Sequence, residues 1–186
     1  MLLGKIIKGL KCFLVTNIKL IIIKLFHFKL FHFHFLNLIL PSTEFDFNRN
    51  SKVQIGKMVR CGKYCRFRVR ENSKLVIGDN SYFNDGAIIV CRDNITIGKN
   101  FQSGPNLLIY DHDHDYKNEK GLKTKQYLTA PVAIGNNVWV GANVIILRGT
   151  TIGDNCVIAA GAVIKGNISS NTVVVQKREN VYRKVD

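Results

Sequence analysis

Residues 108–116 read LIYDHDHDY, so His112 and His114 alternate with Asp111, Asp113 and Asp115 in a chain that holds five histidines in all. Imidazole, with an unperturbed pKa of ~6.5, exchanges protons at neutral pH and also ligates metals, while a carboxylate can fix its tautomer or bind a hard cation. Taken alone, the stretch fits three chemistries: a metal site, a catalytic base with helpers, or a solvated acidic loop. Catalytic zinc usually takes three protein ligands, often histidines. From residue 53 onward the chain has only His112 and His114. His27, His32 and His34 read as the polar face of an N-terminal strand, so no metal site is expected. In an extended chain His112 and His114 point to one side and the aspartates to the other. A carboxylate that orients either imidazole is therefore one of these neighbours or comes from an adjacent subunit.

The scaffold for this stretch is legible as a repeat. Positions 134, 140, 146, 152, 158 and 164 hold Ile, Val, Ile, Ile, Ile and Ile, and the same register runs through Ile55, Cys61 and Phe67, then Ile77, Phe83 and Ile89, then Ile97, Ser103 and Ile109. A spacing of six sustained in this way is a solenoid signature. Each trio makes one coil of three short strands, with Gly or Asn at corners that need positive φ. The step from Ile97 to Ile134 is nineteen residues longer than an 18-residue coil. One long loop therefore leaves near Tyr110 and returns near Pro131, and loops beyond ~12 to 15 residues in a compact repeat are usually functional or disordered. The loop opens with the His/Asp stretch.

The first forty residues are apolar but interrupted by Lys5, Lys8, Lys11, Lys19, Lys24 and Lys29. The longest uncharged stretch, 30–43, falls short of the ~20 residues of a spanning helix, and no clean secretory signal is visible. Export is not expected. Lysines at 5, 8 and 11 beside Leu3, Ile6, Ile7, Leu10 and Leu14 describe a basic amphipathic helix, followed by a segment, FHFKLFHFHF, that alternates like a strand. Two fates are open for the pair: packing on the domain or a partner subunit, or peripheral contact with an anionic membrane through residues 1–40. The formal charge of +14 is spread along the chain, without a tail basic enough to imply nucleic acid; it suits a membrane surface or a phosphate-bearing ligand. Five cysteines without a CxxC pair read as reduced, buried thiols of a cytoplasmic protein. The expected boundaries are a helix and strand over 1–52, the solenoid over 53–175 with its loop at 111–130, and a tail over 176–186.

From residue 53 to about 183, and most strongly in IGNNVWVGANVIILRGTTIGDNCVIAAGAVIKG (134–166), the chain resembles the hexapeptide-repeat acyltransferases, particularly the sugar and polysaccharide O-acetyltransferases. The resemblance implies an all-β fold, a left-handed parallel β-helix, in homotrimers with active sites between subunits, and acetyl-CoA as donor. In relatives the catalytic histidine stands eight residues beyond the Asn of a GPN turn and five beyond an apolar strand residue. Here Asn106 and Ile109 both count to His114, and His114-Asp115-Tyr116 is similar to the loop of polysaccharide-modifying members. The same resemblance assigns Asn84 to the acceptor; His112, either a polar lining residue or merely solvated, Asp113 and Tyr116 are the other residues expected on the acceptor side. The resemblance sets Trp139, Gly141, Ala142, Ala160 and Gly161 along the pantetheine arm, and Lys165 with Lys177 or Arg178 near the phosphates. Two departures stand out: Ala142 replaces a hydroxyl residue frequent in relatives, and VVQKREN replaces the usual GxP turn near the C-terminus.

The implied function is acetyl transfer to a saccharide hydroxyl, on a cell-surface polysaccharide unit or its precursor, with His114 as general base. The site would be cytoplasmic or peripheral at the inner face of the membrane. N-acetylation of an amino-sugar nucleotide shares this mechanism, and a non-catalytic β-helix binding module shares the scaffold. Serine acetylation fits less well, because forty residues that partly alternate like a strand cannot form the helical N-terminal domain of that group.

Overall fold

In a computed structural model of the chain, residues 2–27, 30–117, 121–124, 126–177, 179 and 181–184 are described. The hexapeptide register becomes a three-faced parallel β-solenoid. One face runs from Phe31–Phe33 through Lys52–Ile55, Lys74–Ile77, Asn94–Ile97, Val132–Ile134 and Thr151–Ile152 to Asn167–Ile168. The second runs from Leu38–Ile39 to Val173–Val174 and the third from Glu44–Phe47 to Val163–Ile164. Ile55 pairs with Ile77, Ile77 with Ile97, Ile97 with Ile134 and Ile134 with Ile152, so the unequal coil lengths are absorbed at the corners while the inward residues stay in step. This is the expected left-handed β-helix class.

The core follows from that register. Every second residue points inward, and the buried rings of Phe67, Phe83 and Phe101 meet edge-on and then tilted, with centroids 5.4 Å apart at each step, while Phe45 stacks on Phe67 at 5.3 Å. The corners turn through left-handed backbone, mostly on asparagine, whose short polar side chain tolerates that conformation. At the corner between the first and second faces, Asn80, Asn100, Asn137, Asn155 and Asn171 all have positive φ. Their side-chain amides form a ladder with steps of 3.2, 2.8, 3.0 and 3.0 Å.

The solenoid begins earlier than the sequence suggested. Phe31 pairs with Val53, Leu38 with Arg60 and Phe45 with Phe67, all parallel. Residues 31–47 are thus a complete coil, and the boundary expected at 53 moves into the chain's N-terminal segment. A helix, α1 (Leu2–Phe26), caps that coil. Its Leu20 joins the core with Phe31 and Ile39. The Thr16 hydroxyl donates to the Ile39 carbonyl at 2.7 Å and accepts from the Ile39 N–H at 3.1 Å. The Lys19 ammonium donates to the carbonyls of Pro41 and Thr43. A sheet edge left open would template pairing with other chains, and α1 satisfies it. At the far end the Gln176 amide pairs with both backbone groups of Val163. Cys61, Cys65, Cys91 and Cys156 are buried thiols, and Cys12 is half-buried.

Candidate active site

The long loop leaves the fourth coil after Leu108–Tyr110 and folds into an antiparallel hairpin. His112–His114 pairs with Tyr127–Thr129, placing His112 opposite Thr129 and His114 opposite Tyr127. A single helical turn, Gly121–Thr124, lies between the two strands. The Ala130 N–H closes the base of the hairpin on the Asp111 carbonyl at 2.9 Å.

The two histidines are held differently. Asp111 is fully buried, and its carboxylate accepts from the Arg92 N–H at 2.8 and 3.0 Å and from the Asp93 N–H at 2.8 Å, capping the corner of the preceding coil. The same carboxylate lies 3.2 Å from Nδ1 of His112, whose side chain is only 10% exposed. His112 is further wedged edge-on between the rings of Tyr110 and Tyr127. His114 is exposed, with its ring leaning on Tyr127 at a centroid distance of 4.7 Å. Tyr127 also carries the Arg92 guanidinium 3.5 Å from its ring centre, a cation–π contact. Asp113 pairs with Arg148 of the next coil, which braces the hairpin against the solenoid. Strand alternation does send Asp113 away from the histidines, but Asp111 precedes the strand and turns back on His112.

The other sequence-derived residues fall at a different corner. Asn84 follows the second-face strand Tyr82–Phe83; its amide oxygen accepts from the Asp85 N–H at 2.8 Å, and its own N–H donates to the Ser103 hydroxyl. Two coils on, Trp139 is exposed on the second face, between Gln102 and Val157. Gly141 and Ala142 turn that corner, and Ala160 and Gly161 repeat it one coil later. The column is packed so closely that a Cβ on Gly104 would lie 2.5 Å from the Ala142 nitrogen, and one on Gly141 2.6 Å from the Ala160 nitrogen. Small residues thus line this corner beside the exposed Trp139 indole. Lys165 is exposed at the far end of the third face, on the hairpin's corner. Lys177 is exposed beyond the last strand, and Tyr116 is exposed at the hairpin's tip. Arg178 lies outside the described residues.

Within one chain, then, His112, Asp113, His114, Tyr116 and Lys165 belong to the corner joining the third face to the first, whereas Asn84, Trp139, Gly141, Ala142, Ala160 and Gly161 belong to the corner joining the second to the third. Sequence reasoning missed Arg92, Tyr127 and Arg148. Tyr127 was within reach, because a hairpin closed at Tyr110 and Pro131 sets it opposite the histidines. A groove of about 480 Å³, lined by Lys24, His32, Phe33 and Ile55 among others, lies at the helix end of the solenoid, away from this chemistry. Among the described residues no group of three His, Cys, Asp or Glu side chains could hold a metal ion.

Fold and repeat together define a hexapeptide-repeat β-solenoid protein, and residues 131–166 match the family model described as bacterial transferase hexapeptide (six repeats). The chain is 37% identical over 114 residues to the galactoside O-acetyltransferase of Escherichia coli, covering 61% of this chain and 56% of that protein. It is 34% identical over 109 residues to the galactoside O-acetyltransferase of Lactococcus lactis, covering 59% and 52%. Among solved structures, the maltose O-acetyltransferase of Clostridium difficile matches with a TM-score of 0.54 and 29% identity over 85% of this chain and 68% of that one. The chain thus carries the transferase hexapeptide repeat over residues 131–166 and is similar to these sugar O-acetyltransferases, and it spans a little over half the length of these two curated relatives.

Proposed function

We propose that this protein transfers an acetyl group from acetyl-CoA to a hydroxyl of a saccharide, with His114 as the general base. The observation that carries this assignment is the hairpin. It presents an exposed imidazole on an aromatic platform, with Tyr127 beneath the His114 ring, at the point in the repeat where the family resemblance expects the base. The relatives named for galactoside and maltose O-acetylation support a sugar hydroxyl as acceptor, and a unit of a cell-surface polysaccharide or its precursor is the acceptor we favour.

A sugar hydroxyl is a weak nucleophile at neutral pH, so His114 removes its proton as the oxygen attacks the thioester carbonyl. The tetrahedral oxyanion is met by a backbone N–H, for which Ala142 is the candidate, and its collapse expels the CoA thiolate, which takes the proton back from the imidazolium. General-base catalysis contributes ~10²- to 10⁴-fold and one oxyanion donor ~10²- to 10³-fold. The reaction needs no metal ion and no covalent enzyme intermediate. Asn84, Asp113, Tyr116 and His112 are the residues assigned to the acceptor side. Trp139, Gly141, Ala142, Ala160 and Gly161 are assigned to the pantetheine arm, and Lys165 and Lys177 to the phosphates. Because the base and the acyl-donor residues occupy different corners of one triangular solenoid, the site is completed by a neighbouring copy, and a homotrimer is the assembly we infer. Acetyl-CoA as donor implies a cytoplasmic reaction.

A second assignment rests on the Asp111 contact: His112 has the buried carboxylate that a base oriented by an acid requires, and His114 has none among the described residues. Acetyl-CoA binding and thiol release, measured with a panel of sugars for the wild type, His114→Ala and His112→Ala, separates the two. Turnover lost by ~10²-fold or more only in His114→Ala, with CoA binding intact, supports His114. The same loss only in His112→Ala transfers the role to His112. A folded protein that binds no CoA overturns the enzymatic assignment.

A further inference from the structure

We infer that α1 and the first two coils form a docking surface for an anionic phospholipid bilayer, with the helix lying in the plane of the interface and the solenoid standing on it. The helix carries apolar residues on two opposite sides, with Lys11, Lys19 and Lys24 along its length. One stripe, with Thr16, Leu20 and Ile23, packs on the first coil. The opposite stripe, Leu10, Leu14, Ile18, Ile22 and Leu25, is exposed, and Leu25 and Phe26 are 72% and 82% accessible. A contiguous exposed apolar stripe of this kind marks an interaction surface, so the outer stripe calls for a cover. Among the described residues no helix is long and apolar enough to cross a membrane, which leaves a helix that rests on one.

The solenoid beside the helix is altered in the same sense. Shallow apolar grooves flank α1, one lined by Ile21, Leu25, Phe33 and Phe35, another by Phe13, Leu36, Leu38 and Met58. Met58 and Tyr64 are the telling residues. Both have positive φ, 59° and 58°, at corners that later coils build with Asn80, Asn100, Asn137, Asn155 and Asn171 and with Gly86, Asn106, Asn143 and Gly161. Left-handed backbone is unfavourable for such side chains, yet here it presents them to the surface, with Met58 51% and Tyr64 67% exposed. A local rule broken at exposed apolar and aromatic side chains marks a surface with an outside role.

Charge selects the occupant. Residues 1–69, which make up the helix and the first two coils, contain nine lysines and four arginines against two carboxylates, Glu44 and Asp46, which pair with Arg66 and Arg70. A second copy seated on this patch about a two-fold axis would oppose like with like, bringing two strongly basic surfaces together. An anionic headgroup layer supplies the opposite charge, and an apolar stripe beneath basic residues is the pattern of interfacial helices.

The test is independent of any acetyl transfer. The full chain is co-sedimented with phosphatidylcholine vesicles prepared with and without phosphatidylglycerol, and its mass in solution is followed by sedimentation velocity. We expect pelleting with the anionic vesicles, release on raising the salt, and little binding to neutral ones. Each lysine near an anionic surface strengthens binding by about fivefold, so Lys11→Gln with Lys24→Gln should weaken it by about twentyfold or more. Ile18→Asp with Leu25→Asp should abolish it while leaving the melting temperature within about 2 °C, as expected for exposed sites. Failure to pellet with anionic vesicles overturns the inference, as does binding that neither pair of substitutions changes. A drop in mass caused by Ile18→Asp with Leu25→Asp, without vesicle binding by the wild type, overturns it in favour of a chain–chain interface.

Discussion

Asp111→Asn probes the base of the hairpin most directly, because the carboxylate both caps a corner and touches His112. The substitution changes neither size nor shape, but it replaces one acceptor oxygen with an NH₂. If the amide oxygen takes the position of Oδ2, it keeps the Asp93 N–H at 2.8 Å and the Arg92 N–H at 3.0 Å. The new NH₂ then stands where Oδ1 accepts at 2.8 Å from the same Arg92 N–H. Hydrogen bonds to a charged acceptor are worth ~1.5 to 3 kcal/mol against ~0.5 to 1.5 for neutral ones, so losing the charge on two bonds costs about 2 kcal/mol. For a domain of this size each kcal/mol moves Tm by ~2 to 4 °C, and the expected fall is about 4 to 8 °C by calorimetry. Asp111→Ala, which strands two buried N–H groups at ~1 to 3 kcal/mol each, should fall further. The NH₂ also faces Nδ1 of His112, now 3.2 Å from Oδ1, and turns that nitrogen from donor to acceptor. With His114 as base, kcat should change little in molecules still folded. A Tm for Asp111→Asn within about 1 °C of wild type would refute the capping role, since the stated loss is at least ~4 °C.

Tyr127→Ala removes the platform shared by His112, His114 and Arg92; kcat should drop by about tenfold or more, because a displacement near 1 Å can cost ~10² in rate, whereas Tyr127→Phe should retain the rate. Gly98→Ala places a Cβ 2.5 Å from the Gly135 carbonyl oxygen and 2.6 Å from its carbon, backbone against backbone, and overpacking of ~1 to 3 kcal/mol should lower Tm by about 2 to 12 °C. Burial pushes the Cys91 thiol up to about 12, helped by the Asp111 charge, and burial likewise raises Cys61 and Cys65. Unfolded thiols ionise near ~8.5, so the stability these groups contribute is complete below that pH and is lost as pH climbs toward 12. Thermal melts should decline over that window, and less steeply in Cys91→Ala. Lys19 works in the opposite direction, since burial lowers its ammonium, but it is one group against three.

The solenoid was legible because its inward residues obey one rule, a step of six, and a coil fails if the step is lost. Insertions fall at corners, where length is tolerated, so counting from Ile97 to Ile134 locates the long loop that the structure folds into a hairpin. The same rule extends to the first coil, where Phe33, Ile39 and Phe45 are also six apart. That coil was overlooked because it lacks the Ile-Gly pairs of later coils. There α1, rather than another coil, packs on its open side, and Phe31, Phe33, Phe45 and Phe47 supply the apolar packing. A pattern defined by its corners is hardest to see where the corners are unusual, and the substitutions at Met58 and Tyr64 belong to this same end.

The site was legible as a short list of residues and illegible as an arrangement. Spacing along a strand gives the side of a strand, and on that basis the aspartates of the stretch point away from its histidines. Asp111 escapes the rule because it stands at the corner, one residue before the strand begins, where the chain turns out of the coil and its side chain is drawn to two free N–H groups of the coil below. Nor does spacing say which corner of the triangle a residue occupies relative to a residue two coils away. His114 and Asn84 stand at opposite ends of the third face, a separation set by face length that no substitution within one chain can close. A catalytic site built from both must therefore draw one corner from each of two copies, and a mixture of His114→Ala and Asn84→Ala chains should recover part of the activity that each lacks alone.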